Sequence, residues 1–200
     1  MEIDIKNIKA AYETATESEK TMLATLFPDL SLGQTGKAPD DRPVTERIKT
    51  FEDACRELGS DHPFVKAHNG YVAHIHQHDM NDYDLVAYLQ LRIITAALNE
   101  GWEPQFIKNE WRWYPWHALW TESELAEKSD DWKANRHLIM IGDKYQSEYA
   151  GLAFAHSASA PSTAHTNVGS RLCLKSEALA TYCGKQFIDL WAAFLLSPIN

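Results

Sequence analysis

The sequence predicts an α+β fold: N-terminal helices, then a small antiparallel sheet of about three or four strands, covered by a C-terminal helix. Apolar residues recur at helical spacing through the first half of the chain, whereas from Trp102 onward aromatic residues crowd together as they do on pleated strands. A final apolar stripe at helical spacing follows Ser176. No repeat of fixed period is present, which argues against a solenoid. The chain has 200 residues, enough for one α+β domain over 45–200 preceded by a helical arm and linker over 1–44.

Ile5 to Phe27 reads as two short helices or one kinked helix, because Thr16 and Glu19 form a capping box ahead of Met22, Leu23 and Leu26. Pro28 ends it, and residues 28–44, with Gly33, Gly36, Pro39 and Pro43, read as a loop. Thr45 is placed to cap a helix whose Ile48, Phe51, Cys55 and Leu58 share one face before Gly59. Pro63 suits the first turn of the next helix, which carries Phe64, Val65, Val72 and Ile75. Asn81 or Asp82 then caps a helix with a predicted buried stripe of Leu85, Val86, Leu89, Ile93 and Ala97. Short connections imply antiparallel packing of these helices.

Phe106 to Trp120 predicts a strand in which Pro115 requires an edge, a bend or a bulge. Thr121 and Glu124 form a second capping box that opens a short helix through Lys128. Further strands are predicted over 138–141, 149–156 and 168–174, with a Ser- and Ala-rich loop over 157–167. Ser176 caps the last helix, where Leu179, Cys183, Phe187, Leu190 and Phe194 form one stripe lying across the sheet.

Charge narrows the partners. The net charge is −9, and 17 of the 28 acidic residues fall within positions 1–100, so binding to duplex nucleic acid is disfavoured. Met1 to Lys6 lacks the basic and apolar regions of a secretory signal, and the apolar run over 188–196 is interrupted by Asp189 and too short to span a bilayer. The expected location is therefore the cytoplasm, without a membrane anchor. The three cysteines, Cys55, Cys173 and Cys183, form no Cys-x-x-Cys pair and read as reduced core thiols.

Two clusters are candidates for chemistry. His74, His76 and His78, with His68 before and Asp79 and Asp82 after, offer imidazole and carboxylate ligands; on a helix, His74 and His78 share a face and could hold zinc. The ordinary role of such residues is a solvated helix end. The second cluster runs from Trp111 to Trp116, and the strand period puts Trp111 and Trp113 on one face with Arg112 and Tyr114 on the other. Trp111, Arg112, Trp113 and Trp116 are a candidate binding surface, which could stack single-stranded bases with cations from Lys108, Arg112, Arg171 and Lys175. Their commonest use, however, is core. No Gly-x-Ser-x-Gly elbow, phosphate-binding loop, His-Glu-x-x-His or dinucleotide fingerprint occurs. His137, His156 and His165 beside Ser157, Ser159 and Ser162 make only a notional triad.

Several strings point the same way together: Thr45 to Ala54, Leu91 to Ile94 running to Asn99-Glu100-Gly101-Trp102, Tyr114-Pro115-Trp116, and Gly169 to Leu172 leading into Lys175-Ser176 and Gly184-Lys185-Gln186-Phe187. Over roughly 45–120 and 169–196 the chain resembles uncharacterised proteins encoded by phages and prophages of gut Bacteroidetes. The resemblance implies a phage or prophage origin, and with it a virion association as an alternative to the free cytoplasm. It carries no activity, cofactor or catalytic residue. The expected function is a non-catalytic accessory or binding protein acting through contacts with a protein partner. The alternatives are a small metal-dependent enzyme using His74 and His78 with zinc, and a single-stranded nucleic-acid binder using the Trp111–Trp116 segment.

Overall fold

A computed structural model describes residues 8, 11–12, 14–27, 41–78, 80, 82–105, 107, 109–161 and 170–199. The chain divides into two compact units, Met1–Asp41 and Arg42–Asn200. In the first, helical conformation at Ile8, Ala11, Tyr12 and Thr14 breaks at Ala15, and helix α1 spans Glu17–Leu26. Its predicted capping box is present, with the Thr16 N–H donating to Glu19 Oε2 at 2.8 Å. Most of the predicted 28–44 loop lies outside the described residues.

The second unit opens with α2 (Val44–Arg47) and α3 (Phe51–Leu58), where the sequence predicts one helix capped at Thr45. The break has a local cause. The Asp53 N–H donates to the Thr50 hydroxyl at 3.1 Å, while Asp53 Oδ2 accepts from the backbone N–H groups of Lys49 and Thr50, each at 3.0 Å. This Thr-x-x-Asp box starts a new helix at Phe51. The carbonyls freed by the break are taken from elsewhere in the fold: Ile48 O accepts from Tyr182 Oη at 2.6 Å and Lys49 O from Gln186 Nε2 at 2.8 Å.

Helix α4 (Pro63–Gln77) begins with Pro63 in its first turn, as predicted, and α5 (Tyr83–Leu98) follows. The buried apolar face of α5 is Ala87, Leu91, Ile93, Ile94, Ala97 and Leu98, so the predicted stripe is buried at Ile93 and Ala97 but not at Leu85, Val86 and Leu89. Leu85 is exposed, and Val86 and Leu89 are half-buried. α5 packs against α3, α4 and the last helix at once, and this demand from several sides selects the more apolar C-terminal two-thirds of the helix for the core.

The sheet has three antiparallel strands, β1 (Trp111–Trp120), β2 (Ile139–Met140) and β3 (Gly151–Pro161), in the order β1-β3-β2. Between β1 and β2 lie α6 (Glu122–Ala126), opened by the predicted Thr121 box, and α7 (Asp130–Asn135), capped by Ser129. Pro115 sits on an edge strand, and the register of β1 against β3 slips between Trp116 and His117, leaving Ala155 as the extra residue. Arg136 Nη1 reaches the carbonyls of Phe154 and Ala155 at this bulge. β3 runs on to Pro161, through residues predicted as loop, because Trp111 to Pro115 pair with it residue by residue.

Over its described residues, 170–174, the strand predicted over 168–174 is not formed. Among its described residues, Ser170–Leu172 is a 3₁₀ turn, and Leu174 bridges Trp113 through two backbone hydrogen bonds of 2.9 and 3.0 Å. Side chains of α5 take the place of a neighbouring strand: Thr95 Oγ1 lies 3.1 Å from Arg171 O, Asn99 Nδ2 donates to Cys173 O at 2.9 Å, and Asn99 Oδ1 accepts from the Lys175 N–H at 3.0 Å.

The predicted final helix is two, α8 (Glu177–Gln186) and α9 (Ile188–Leu195), separated at Phe187. The break lets Leu179, Cys183 and Phe187 join the main core with Leu91, Ile94 and Leu172, while Ile188 and Ala192 turn to a second cluster with Ile141 and Leu152. Among the described residues no helix is long and apolar enough to cross a membrane.

Candidate functional site

The tryptophan strand is largely structural. Trp113, Pro115 and His117 face α8: Trp113 packs on the main core, a Cβ on Gly184 would fall 2.5 Å from Pro115 Cβ, and His117 Nε2 lies 3.0 Å from Gly184 O. Burial holds the His117 pKa below the ordinary histidine value, partly offset by that carbonyl. Of the predicted surface, Arg112 is 0% exposed and Trp113 only half-buried, so neither forms an open platform. The alternation puts Arg112 and Trp113 on opposite faces as expected, but both faces of β1 are covered there. Trp111 (52% exposed) and Trp116 (44%) remain at the surface, and the Trp116 ring lies parallel to His156 with centroids 6.0 Å apart.

The cations expected beside these rings are placed elsewhere. Lys175 Nζ bonds Glu100 at 2.8 Å, Arg171 lies by the end of α5, and Lys108 is outside the described residues. Beyond the bulge, Trp120 meets Trp132 edge to face at 4.9 Å, and Lys128 lies over both rings.

His74 in the last turn of α4 and His78 at its C-terminal cap are both exposed, with ring centroids 4.4 Å apart. His68 belongs to a different environment: it is buried, tilted against Phe51 at 4.8 Å, with Nδ1 3.0 Å from Asn69 Oδ1. Asp82 accepts the Tyr71 hydroxyl. Among the described residues no three His, Cys, Asp or Glu side chains converge to hold a metal ion; His74 and His78 would be two of the four ligands of a closed zinc site. Asp79 lies outside the described residues.

The reactive groups of the interior are tied to packing. None of the three cysteines forms a disulfide; burial pushes the Cys173 thiol up to about 11 and that of Cys183 up to about 12. Both are thiols, not thiolates, at neutral pH. Ser157 Oγ is 2.7 Å from Thr181 Oγ1 on the helix-facing side of β3, whereas His156 stands on the opposite face, which separates two members of the notional triad. Ser162 and His165 lie outside the described residues.

Two concavities among the described residues were not foreseen from the sequence. One, of 290 Å³, lies between α5 and α9 and is walled by Val86, Ala87, Leu190, Ala193 and Pro198, with Tyr83 and Lys144 also lining it. The other, of 280 Å³, lies at the C-terminal end of α5 and gathers Phe64, Arg92, Trp102 and Arg171 from four separate segments. The sequence signal for the first was the surplus width of the apolar stripe on α5; for the second it was Arg92, a cation set among Leu91, Ile93 and Ile94. The chain matches no protein-family model, no curated protein and no solved structure.

Proposed function

We propose that this chain is a non-catalytic binding module of phage or prophage origin that acts through contacts with a protein partner. The observation that carries the reading is the apolar groove between α5 and α9. Val86, Ala87, Leu190, Ala193 and Pro198 wall it, and Tyr83 beside it is 60% exposed. Apolar side chains left uncovered in a concave site gain about 25 cal/mol for each Å² that a partner removes from water. Lys144 lines the same groove, so the complementary partner presents an apolar side chain next to a carboxylate. The phage or prophage origin rests on the sequence strings alone.

The test is a photo-crosslinking residue at position 83, with position 122 as a remote exposed control, in prophage-bearing or phage-infected cells. A discrete adduct from position 83 that Ala193→Arg abolishes supports the reading. Equal adducts from both positions, or substrate turnover in a metabolite screen that Ala193→Arg leaves intact, contradicts it.

The parallel Trp116 and His156 rings favour a second reading, single-stranded nucleic acid stacked on the sheet. Its check is an oligonucleotide titration of tryptophan fluorescence at low salt, in which Trp116→Ala must remove the response.

A further inference from the structure

We infer that the cleft at the C-terminal end of α5 is a binding site for a small aromatic monoanion, a carboxylate carried on a single planar ring. The cleft shares no lining residue with the apolar groove, and the inference stands independently of the protein-contact reading. It begins with Arg92. Its guanidinium carbon sits 3.8 Å from the centroid of the Phe64 ring, a cation–π stack that fixes the plane of the guanidinium. Its Nε is buried and has no hydrogen-bond acceptor among the described residues. A buried donor left unsatisfied costs about 1–3 kcal/mol, and more when charged, so this nitrogen is a standing demand for an acceptor.

The surroundings define which acceptor. Arg171 lines the same cleft, and among the described residues no carboxylate lies within ion-pair distance of either guanidinium. Asn99 is not a free donor, because Cys173 O and the Lys175 N–H occupy its amide. The Thr95 hydroxyl is likewise taken up between the Arg92 and Arg171 carbonyls, 3.1 Å from each. Two arginines and Glu103 leave one net positive charge on the wall, which suits a monoanion and opposes a polyphosphate. A fixed guanidinium plane favours the two oxygens of a carboxylate over a point charge.

Trp102 and Pro104 supply apolar surface for a ring. The volume of 280 Å³ is just below the usual range for ligand pockets, roughly 300–1,000 Å³, which limits the ligand to about one ring.

The experiment follows the Trp102 indole N–H by NMR in the full chain, assigned through Trp102→Phe, during titration with benzoate, benzyl alcohol and inorganic phosphate. The expected result is a saturable shift with benzoate, binding at least about tenfold tighter than the neutral ring or the bare anion. Arg92→Gln should abolish it. Because Arg92 also packs on Phe64, Arg171→Gln is the second variant: this exposed residue should weaken benzoate several-fold with the thermal midpoint unchanged. A flat indole response to benzoate, phosphate binding as tightly as benzoate, or parental affinity in Arg171→Gln overturns the assignment.

Discussion

Replacing Gly184 by alanine should destabilise the protein even though alanine is the better helix former. Gly184 lies inside α8, where the exchange on its own is worth about 1 kcal/mol in favour of alanine. A Cβ there would stand 2.5 Å from Pro115 Cβ and 2.9 Å from Phe154 Cδ2, against an optimal carbon–carbon separation of about 3.5–4.0 Å. Roughly 1 Å must therefore open between α8 and the sheet. Neither side gives easily, because Pro115 is a ring in a paired strand and the contact between His117 Nε2 and Gly184 O clamps the two layers. Overpacking of this kind costs about 1–3 kcal/mol, and the clamp places it at the upper end, so the net loss is about 1–2 kcal/mol.

At this chain length that lowers the thermal midpoint by roughly 2–4 °C per kcal/mol. Gly70→Ala is the matched control: it lies inside α4 with nothing within 4 Å of the added carbon, and should stabilise by about 0.5–1 kcal/mol. The assay is urea denaturation of both variants, compared through midpoints at unchanged slope. A stabilised Gly184→Ala, matching Gly70→Ala, would refute the close approach of α8 to β1.

Thr50→Ala removes the hydroxyl that receives the Asp53 N–H and should cost about 1 kcal/mol by denaturant midpoint, whereas Thr45→Ala should cost little. His117 has its pKa depressed by burial, so on acidification below about 6.5 the unfolded chain binds a proton before the folded one and stability falls; His117→Gln should flatten that part of the stability–pH curve. Glu100 is held below the ordinary carboxylate range first by its hydrogen bond from Lys175 and further by Arg47, so its contribution is present above about pH 4.5 and lost as pH falls toward the folded value. Glu100→Gln should remove that acid-side slope at a cost of about 1 kcal/mol or less, since the carboxylate is 42% exposed, and equilibrium unfolding across pH reads both effects.

Features written in neighbouring residues were legible in the sequence. The Thr16 and Thr121 boxes, the Ser176 cap, Pro63 in the first turn of α4 and the need for an irregularity near Pro115 each depend on contacts a few residues away, and each is present. Features set by distant partners were not. The spacing of Ile48, Phe51, Cys55 and Leu58 is the same whether or not the helix pauses at Thr50, and what makes the pause tolerable is Tyr182 and Gln186, more than a hundred residues later. Residues 170–174 have the composition of a strand, but Thr95 and Asn99 hold them as a tethered segment. Arginine is rarely buried, so the sequence predicts Arg112 as a surface cation; its position between Trp111 and Trp113 specifies the face but not the burial. The cleft of Phe64, Arg92, Trp102 and Arg171 carries no spacing signal, because four segments meet there only in the fold.

β1 and the cysteine-bearing helix α8 close on each other as core. That closure is tested most directly by the reactivity of Cys183 toward a disulfide reagent at neutral pH, in a Cys55→Ser/Cys173→Ser background. Cys183 is fully buried, and its thiol is pushed up to about 12 by that burial. The predicted result is reaction only through unfolding, with a rate that rises with denaturant in parallel with the global unfolding equilibrium. Rapid labelling in the absence of denaturant, at the rate of an exposed thiol and independent of stability, would contradict it.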